Sequence, residues 1–201
     1  MNMKNNFEYL VTPSVLRESS HGLAAYSIQD EMLARREVLC VCDINSQTVN
    51  SLIIQLLHLE KEDSEAEITM YINSPGGEVD SGLALYDVMQ SIPCPIKTVC
   101  CGLAASMGSI LFMCGDTRQM LPHSKVMIHD PRTADSVGGT ALDLMERSKD
   151  IMNTRKALAQ IIAKHTGRTI DEVYEKTRKD SYFSAEEAIE FGLADEVIKK
   201  I

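Results

Sequence analysis

The residues of this chain best suited to chemistry begin with Ser106, set among small neighbours in Gly102-Leu103-Ala104-Ala105-Ser106-Met107-Gly108. An apolar strand-like run, Ile96 to Cys101, leads into this stretch, and an apolar helix-like run, Met107 to Met113, leads out. A serine at a sharp strand-to-helix turn directs its hydroxyl away from the backbone, and small neighbours let a substrate come close. The helix N-terminus that follows carries unpaired N–H groups and positive potential, which suit a developing oxyanion. The stretch departs from G-x-S-x-G, because Ala104 holds the first glycine position. A small-residue turn also serves simply to pack a helix on a sheet, so the turn alone does not define a nucleophile.

Three further features could complete such a site. Asn73-Ser74-Pro75-Gly76-Gly77 lies between a strand-like and a helix-like segment. Its paired glycines admit positive φ and close approach of backbone to ligand, so it reads either as a tight turn or as half of an oxyanion hole. His129 ends the strand-like Val126-Met127-Ile128, and open α/β sheets place their sites at the C-terminal ends of parallel strands. His21, His58, His123 and His165 fall in less suitable places. A carboxylate to orient the imidazole has two candidates. Asp180 precedes a capped helix, and Asp130 adjoins His129 but is constrained by Pro131. No metal-ligand spacing is present: there is no C-x2-C and no paired histidine arrangement.

Elements that could position these residues follow from periodicity. Strand-like runs at Val38–Cys42, Ile68–Ile72, Ile96–Cys101 and Val126–Ile128 alternate with helix-like spacing after Ser46, from Val79 to Met89, and after Ser106. That alternation predicts right-handed crossovers and a largely parallel sheet with helices on its faces. A helical pattern from about 140 to 166, stopped by Gly167, would extend about 39 Å and project from the domain. Thr169-x-x-Glu172 and Ser184-x-x-Glu187 are capping boxes that open two short helices. Residues 1 to about 27 lack periodicity and read as a mobile N-terminal arm or propeptide. The 201 residues otherwise read as one domain.

Composition narrows the function classes. Twenty basic residues against 29 acidic ones give a net charge of −9, which argues against nucleic acid as the main partner. No long apolar stretch spans a membrane and no secretory leader opens the chain. The six cysteines sit mostly in apolar runs and read as reduced, buried small hydrophobes. The expected location is the cytoplasm.

Taken together in order and spacing, four motifs resemble the ClpP family, the proteolytic subunits of the Clp protease. They are Tyr71-Ile72-Asn73-Ser74-Pro75-Gly76-Gly77, Gly102-x-Ala104-Ala105-Ser106-Met107-Gly108, Val126-Met127-Ile128-His129-x-Pro131, and the segment from Asp180 through Ser184-Ala185-x-Glu187-Ala188 to Gly192-Leu193. The resemblance implies the ClpP/crotonase-like fold and a serine endopeptidase. Ser106 is its nucleophile, His129 its general base and acid, and Asp180 the residue that orients the imidazole. It implies an oxyanion hole from the N–H groups of Gly77 and Met107. No metal or other cofactor is implied in the subunit itself; ATP is used by a partner Clp-family AAA+ unfoldase, which feeds unfolded proteins into a chamber. The assembly implied is two stacked heptameric rings, interlocked by a handle helix at about 140–166.

Two departures from the family pattern stand out. Ser181 occupies the place of an arginine that usually follows the triad aspartate and pairs across the ring interface. A serine hydroxyl cannot replace a guanidinium fork. Thr69, Ser91 and Gln119 fall where the rim that docks the ATPase usually carries aromatic residues, while Tyr71, Leu57 and Ile198 keep apolar character there. These departures define the alternative: a catalytically weak or partner-dependent paralogue acting as a structural or regulatory subunit of a mixed ring. A crotonase-type acyl-CoA enzyme would share the fold without needing the three residues in register.

Overall fold

The computed structural model describes residues 13–19, 22–133 and 138–201. The chain divides into two compact units, Met1–Glu37 and Val38–Ile201. In the first, β1 (Ser14–Ser19) and β2 (Gly22–Ser27) form an antiparallel hairpin with Ser14 opposite Ser27 and Ser19 opposite Gly22. Helix α1 (Ile28–Ala34) follows, opened by a capping box between Ser27 and Asp30. Residues 14–19 and 22–27 of the expected N-terminal arm are thus paired as strands. Their alternation is illegible because neither face is buried: Leu16 and Leu23 are exposed on one face, Val15 and Tyr26 on the other. The remainder of the expected arm, residues 1–12, lies outside the described residues.

The second unit is built on a seven-stranded sheet. Its strands are β3 (Glu37–Cys40), β4 (Ile68–Ser74), β5 (Ile96–Ala105), β6 (Thr117–Met120), β7 (Lys125–Ile128), β8 (Ser181–Phe183) and β9 (Glu196–Val197). The main path runs β3-β4-β5-β6-β9, and β7 and β8 branch from β5. Between strands lie α2 (Ser46–Glu62), α3 (Val79–Ser91), α4 (Met107–Met113), α5 (Ala141–Thr166), α6 (Ile170–Thr177) and α7 (Ala185–Phe191). The pairings β4–β5, β5–β6, β5–β7 and β6–β9 are parallel, and β7–β8 is antiparallel. This is the mixed α/β, parallel-rich architecture of the ClpP/crotonase-like fold.

Strand β5 does the positioning. It is ten residues long and runs on past Cys101, where the apolar run ends, to Ala105. Its first half, Lys97–Cys100, pairs with β6, and its second half, Leu103–Ala105, pairs with β7. The switch of partner is matched on the other edge by a register shift between Ile72 and Ser74 of β4. There the Asn73 side-chain Oδ1 accepts the Leu103 N–H at 3.1 Å, replacing a ladder bond that the shift removes. Every residue of α4 is buried, which is why its sequence is apolar all round. Four cysteines are buried and Cys42 and Cys101 are half-buried; burial pushes the Cys40 thiol up to about 12.

Helix α5 is stopped by Gly167 in the left-handed region, as the pattern predicts, and opens on a Thr140–Asp143 capping box that the sequence reading does not include. Only Leu158, Ala159 and Ile162 are buried, all in its C-terminal half. Leu142, Leu144 and Met145 near its N-terminus are exposed. Arg118 locks the far end. Its guanidinium donates to the carbonyls of His165 at 2.9 Å and Gly192 at 2.8 Å and forks onto Asp195.

Candidate active site

Ser106 stands at the junction of β5 and α4 with φ 53° and ψ −123°, outside the ordinary regions for a residue with a side chain. Its N–H donates to the Met127 carbonyl at 2.9 Å, so the turn is pinned to β7. As the cap of α4 it makes no side-chain capping bond. The hydroxyl is therefore free to face elsewhere, and Oγ lies 2.9 Å from His129 Nε2. His129 arrives there because β5 and β7 are adjacent parallel strands, with Ala105 opposite Met127, and both end at the same level.

The turn from β4 closes over this junction. Gly76 has φ 95°, and a Cβ on it would lie 2.7 Å from both Ala105 O and Ser106 Cβ. Gly77 is bridged to Ile44, and a Cβ there would meet the Ile44 carbonyl oxygen at 2.0 Å. Neither position has room for a side chain, which explains the glycine pair. The Ile44 bonds are made by its own N–H to Gly76 O and by Glu78 N–H to Ile44 O. Among the described residues, the N–H groups of Gly77 and Met107 donate to no protein acceptor. Both residues line one cavity of about 310 Å³ with Ser106, His129 and Arg132. Its apolar wall includes Val79, Ile110, Leu158 and Ile162.

The two candidate carboxylates differ in their surroundings. Strand β8 runs antiparallel to β7 with Ser181 opposite Ile128, which carries Asp180 alongside His129. Asp130 is engaged elsewhere: Arg155 Nε donates to its Oδ2 and Thr177 Oγ1 to its Oδ1, each at 2.7 Å. The Arg155 guanidinium also lies 3.9 Å from the centroid of the Tyr174 ring. Asp130 thus ties the strand end to α5 and α6.

Asp180 does not complete a hydrogen bond to His129. Its Oδ1 is 3.6 Å from His129 Nδ1, and Arg132 Nη2 donates to that same oxygen. His129 Nδ1 is buried and without a partner. The histidine is held below its ordinary pKa by burial first and by the Arg132 charge second, against the opposing pull of Asp180 and Asp130. Arg132 is the participant that sequence reasoning misses; its only signal is a basic residue three positions after His129.

The residues expected at a docking rim are spread over α2, β4, α3, β6 and the segment after β9. Register sets Tyr71, Val99, Gln119 and Glu196 in one row across β4, β5, β6 and β9. Tyr71 is half-buried, and Gln119 Nε2 donates to Glu196 Oε1 at 2.7 Å. Ile198 follows β9, its N–H on Met120 O at 2.9 Å. Leu57 is exposed on α2, and Ser91 ends α3 with its hydroxyl on Val88 O. Thr69 stands one turn of the pleat before Tyr71, on the same face of β4.

A hydroxyl on a strained strand–helix turn, a histidine within bonding distance and two unengaged backbone N–H groups thus meet at one cavity. The family model described as Clp protease matches residues 20–201, and the chain belongs to that family. It is thereby a peptidase of ClpP type, from a family that forms rings and works with Clp ATPases. None of the described helices is long and apolar enough to cross a membrane.

Proposed function

We propose that the chain is a serine endopeptidase, the proteolytic subunit of an ATP-dependent Clp protease, with Ser106, His129 and Asp180 as its triad. The observation that carries this reading is the 2.9 Å contact of Ser106 Oγ with His129 Nε2 at a turn of positive φ. His129 takes the hydroxyl proton as Oγ attacks the peptide carbonyl carbon. The N–H groups of Gly77 and Met107 receive the oxyanion. Collapse passes the proton from His129 to the leaving amine and leaves an acyl-enzyme. Water, deprotonated by the same imidazole, then releases the acid and restores Ser106. Asp180 orients the imidazole and stabilises the imidazolium formed twice in the cycle.

The apolar wall of the cavity supports binding of an aliphatic side chain next to the scissile bond. The uncovered Leu142, Leu144 and Met145 on α5 support a handle that packs against a second ring of the tetradecamer. In this reading a AAA+ unfoldase docks on the rim that includes Tyr71, Leu57 and Ile198, supplies the ATP hydrolysis, and feeds unfolded proteins to the chamber in the cytoplasm. The subunit itself needs no cofactor. Hydrolysis of a short fluorogenic peptide by the full chain tests the reading. It should fall to background in Ser106→Ala, and equal hydrolysis by that variant would refute it.

The unbonded His129 Nδ1 favours one refinement: a subunit whose triad is incompletely closed and whose full activity depends on its surroundings in a homomeric or mixed ring.

A further inference from the structure

Among the described residues, the one buried side-chain polar atom without a partner is His129 Nδ1, at the centre of the site. The nearest acceptor, Asp180 Oδ1, is within reach but engaged by Arg132. Two donors face the same oxygen, His129 just past the end of β7 and Arg132 in the segment that follows it. His129 is tightly enclosed, with 14% of its side chain exposed, whereas 63% of Arg132 is in solvent. The guanidinium can therefore leave without disturbing the core, and the imidazole cannot move out to follow the carboxylate. Asp180 itself is only 38% exposed and carries no other hydrogen bond to a side chain among the described residues. Its oxygen is shared between one fixed and one mobile donor.

We propose that Arg132 is a positioning residue that competes with His129 for the Asp180 carboxylate, so that the triad closes when Arg132 lets go of Oδ1. This rests on the reading of Ser106, His129 and Asp180 as a triad. Two consequences follow from the same contact. While Arg132 holds Oδ1, the Nδ1–H of a basic His129 has no acceptor, and the tautomer needed for proton abstraction is left unsupported. Its positive charge also opposes formation of the imidazolium. The other charges facing His129 are Asp130 and Asp180, and Asp130 is itself paired with Arg155. Among the described residues, Arg132 is thus the one cation whose charge acts on the imidazole. Its place at the cavity lined by Ser106 puts the brake where an incoming peptide would meet it.

The test follows capture of Ser106 by a fluorophosphonate as a function of pH, by intact mass, in the assembled full chain. Arg132→Leu removes the charge and Arg132→Lys keeps it without the fork. In Arg132→Leu, the plateau rate should rise about tenfold, near the low end of what a hydrogen bond to a charged group contributes. The acid limb should move to higher pH, because His129 is then more readily protonated. Arg132→Lys should keep the acid limb of the parent. A limb that stays in place in Arg132→Leu, with an equal or lower plateau, overturns the proposal while leaving the triad intact. No capture at Ser106 in either the parent or Arg132→Leu overturns the triad itself and the proposal with it.

Discussion

Replacing Gly76 with alanine should disable Ser106 while leaving the fold standing. The new Cβ would lie 2.7 Å from Ala105 O and from Ser106 Cβ, and 3.0 Å from Met107 N. Ordinary carbon contacts are about 3.5 Å, so the overlap is about 0.8 Å and falls on backbone that has no free end to swing aside. Relief requires moving the strand–helix turn by that order. A misplacement of about 1 Å at a reacting atom costs about 100-fold in rate, so kcat/KM on a short peptide should fall by about 30- to 100-fold. An alanine at φ 95° adds strain of about 2 kcal/mol, well below the stability of about 5–15 kcal/mol that a domain carries. Gly167→Ala is the matched control. Its φ of 69° carries a similar torsional cost, but nothing lies within 4 Å of its Cβ. Thermal melting should show both variants modestly destabilised, and peptidase assay should show only Gly76→Ala impaired. Parent-level kcat/KM in a folded Gly76→Ala would refute the argument that this turn sets the serine.

Other consequences can be measured independently. Arg118→Ala strands two carbonyls and the Asp195 carboxylate, so chemical denaturation should show a loss of about 3 kcal/mol. His165 is held down to about 4, by burial first and then by Lys164 and Arg118, and it is bonded to the Tyr86 hydroxyl at 3.0 Å. Its folded pKa lies below the unfolded one near 6.5, so its contribution is intact above about pH 6.5 and lost as pH falls towards 4. Allowing for partial solvent screening, that loss is on the order of 1–2 kcal/mol, and His165→Gln should flatten the pH dependence of the melting temperature in this window. Peptides with leucine before the scissile bond should exceed those with aspartate by at least about tenfold in kcat/KM, given the wall formed by Val79, Ile110, Leu158 and Ile162. With Ser181 in place of a ring-bridging arginine, dilution to low micromolar protein should release heptamers, and light scattering showing only fourteen-mers would count against that expectation.

What was legible in the sequence is what local chemistry specifies. The strand runs before Ser106 and His129, the caps at Thr169 and Ser184, and the stop at Gly167 all depend on residues close in the chain. The short strands β6 and β9 escape because four and two residues carry no readable period; pairing of β6 with β5, and of β9 with β6 in turn, is what makes them strands. The extension of β5 to Ala105 is hidden by its small residues, whose strand conformation is imposed by β7. Asp130 and Asp180 cannot be told apart locally. Only the β7–β8 register and the Arg155 and Thr177 contacts, made across 25 and 47 residues of chain, separate them. Arg132 is missed for the same reason, since its effect depends on a carboxylate 48 residues away.

If Ser106 is the nucleophile, it is the residue that a fluorophosphonate captures. Intact-mass measurement after prolonged exposure to the reagent, followed by peptide mapping, should show one adduct per chain, located on Ser106, and none in Ser106→Ala. An adduct that persists in Ser106→Ala, or a parent protein that stays unlabelled, would contradict that role.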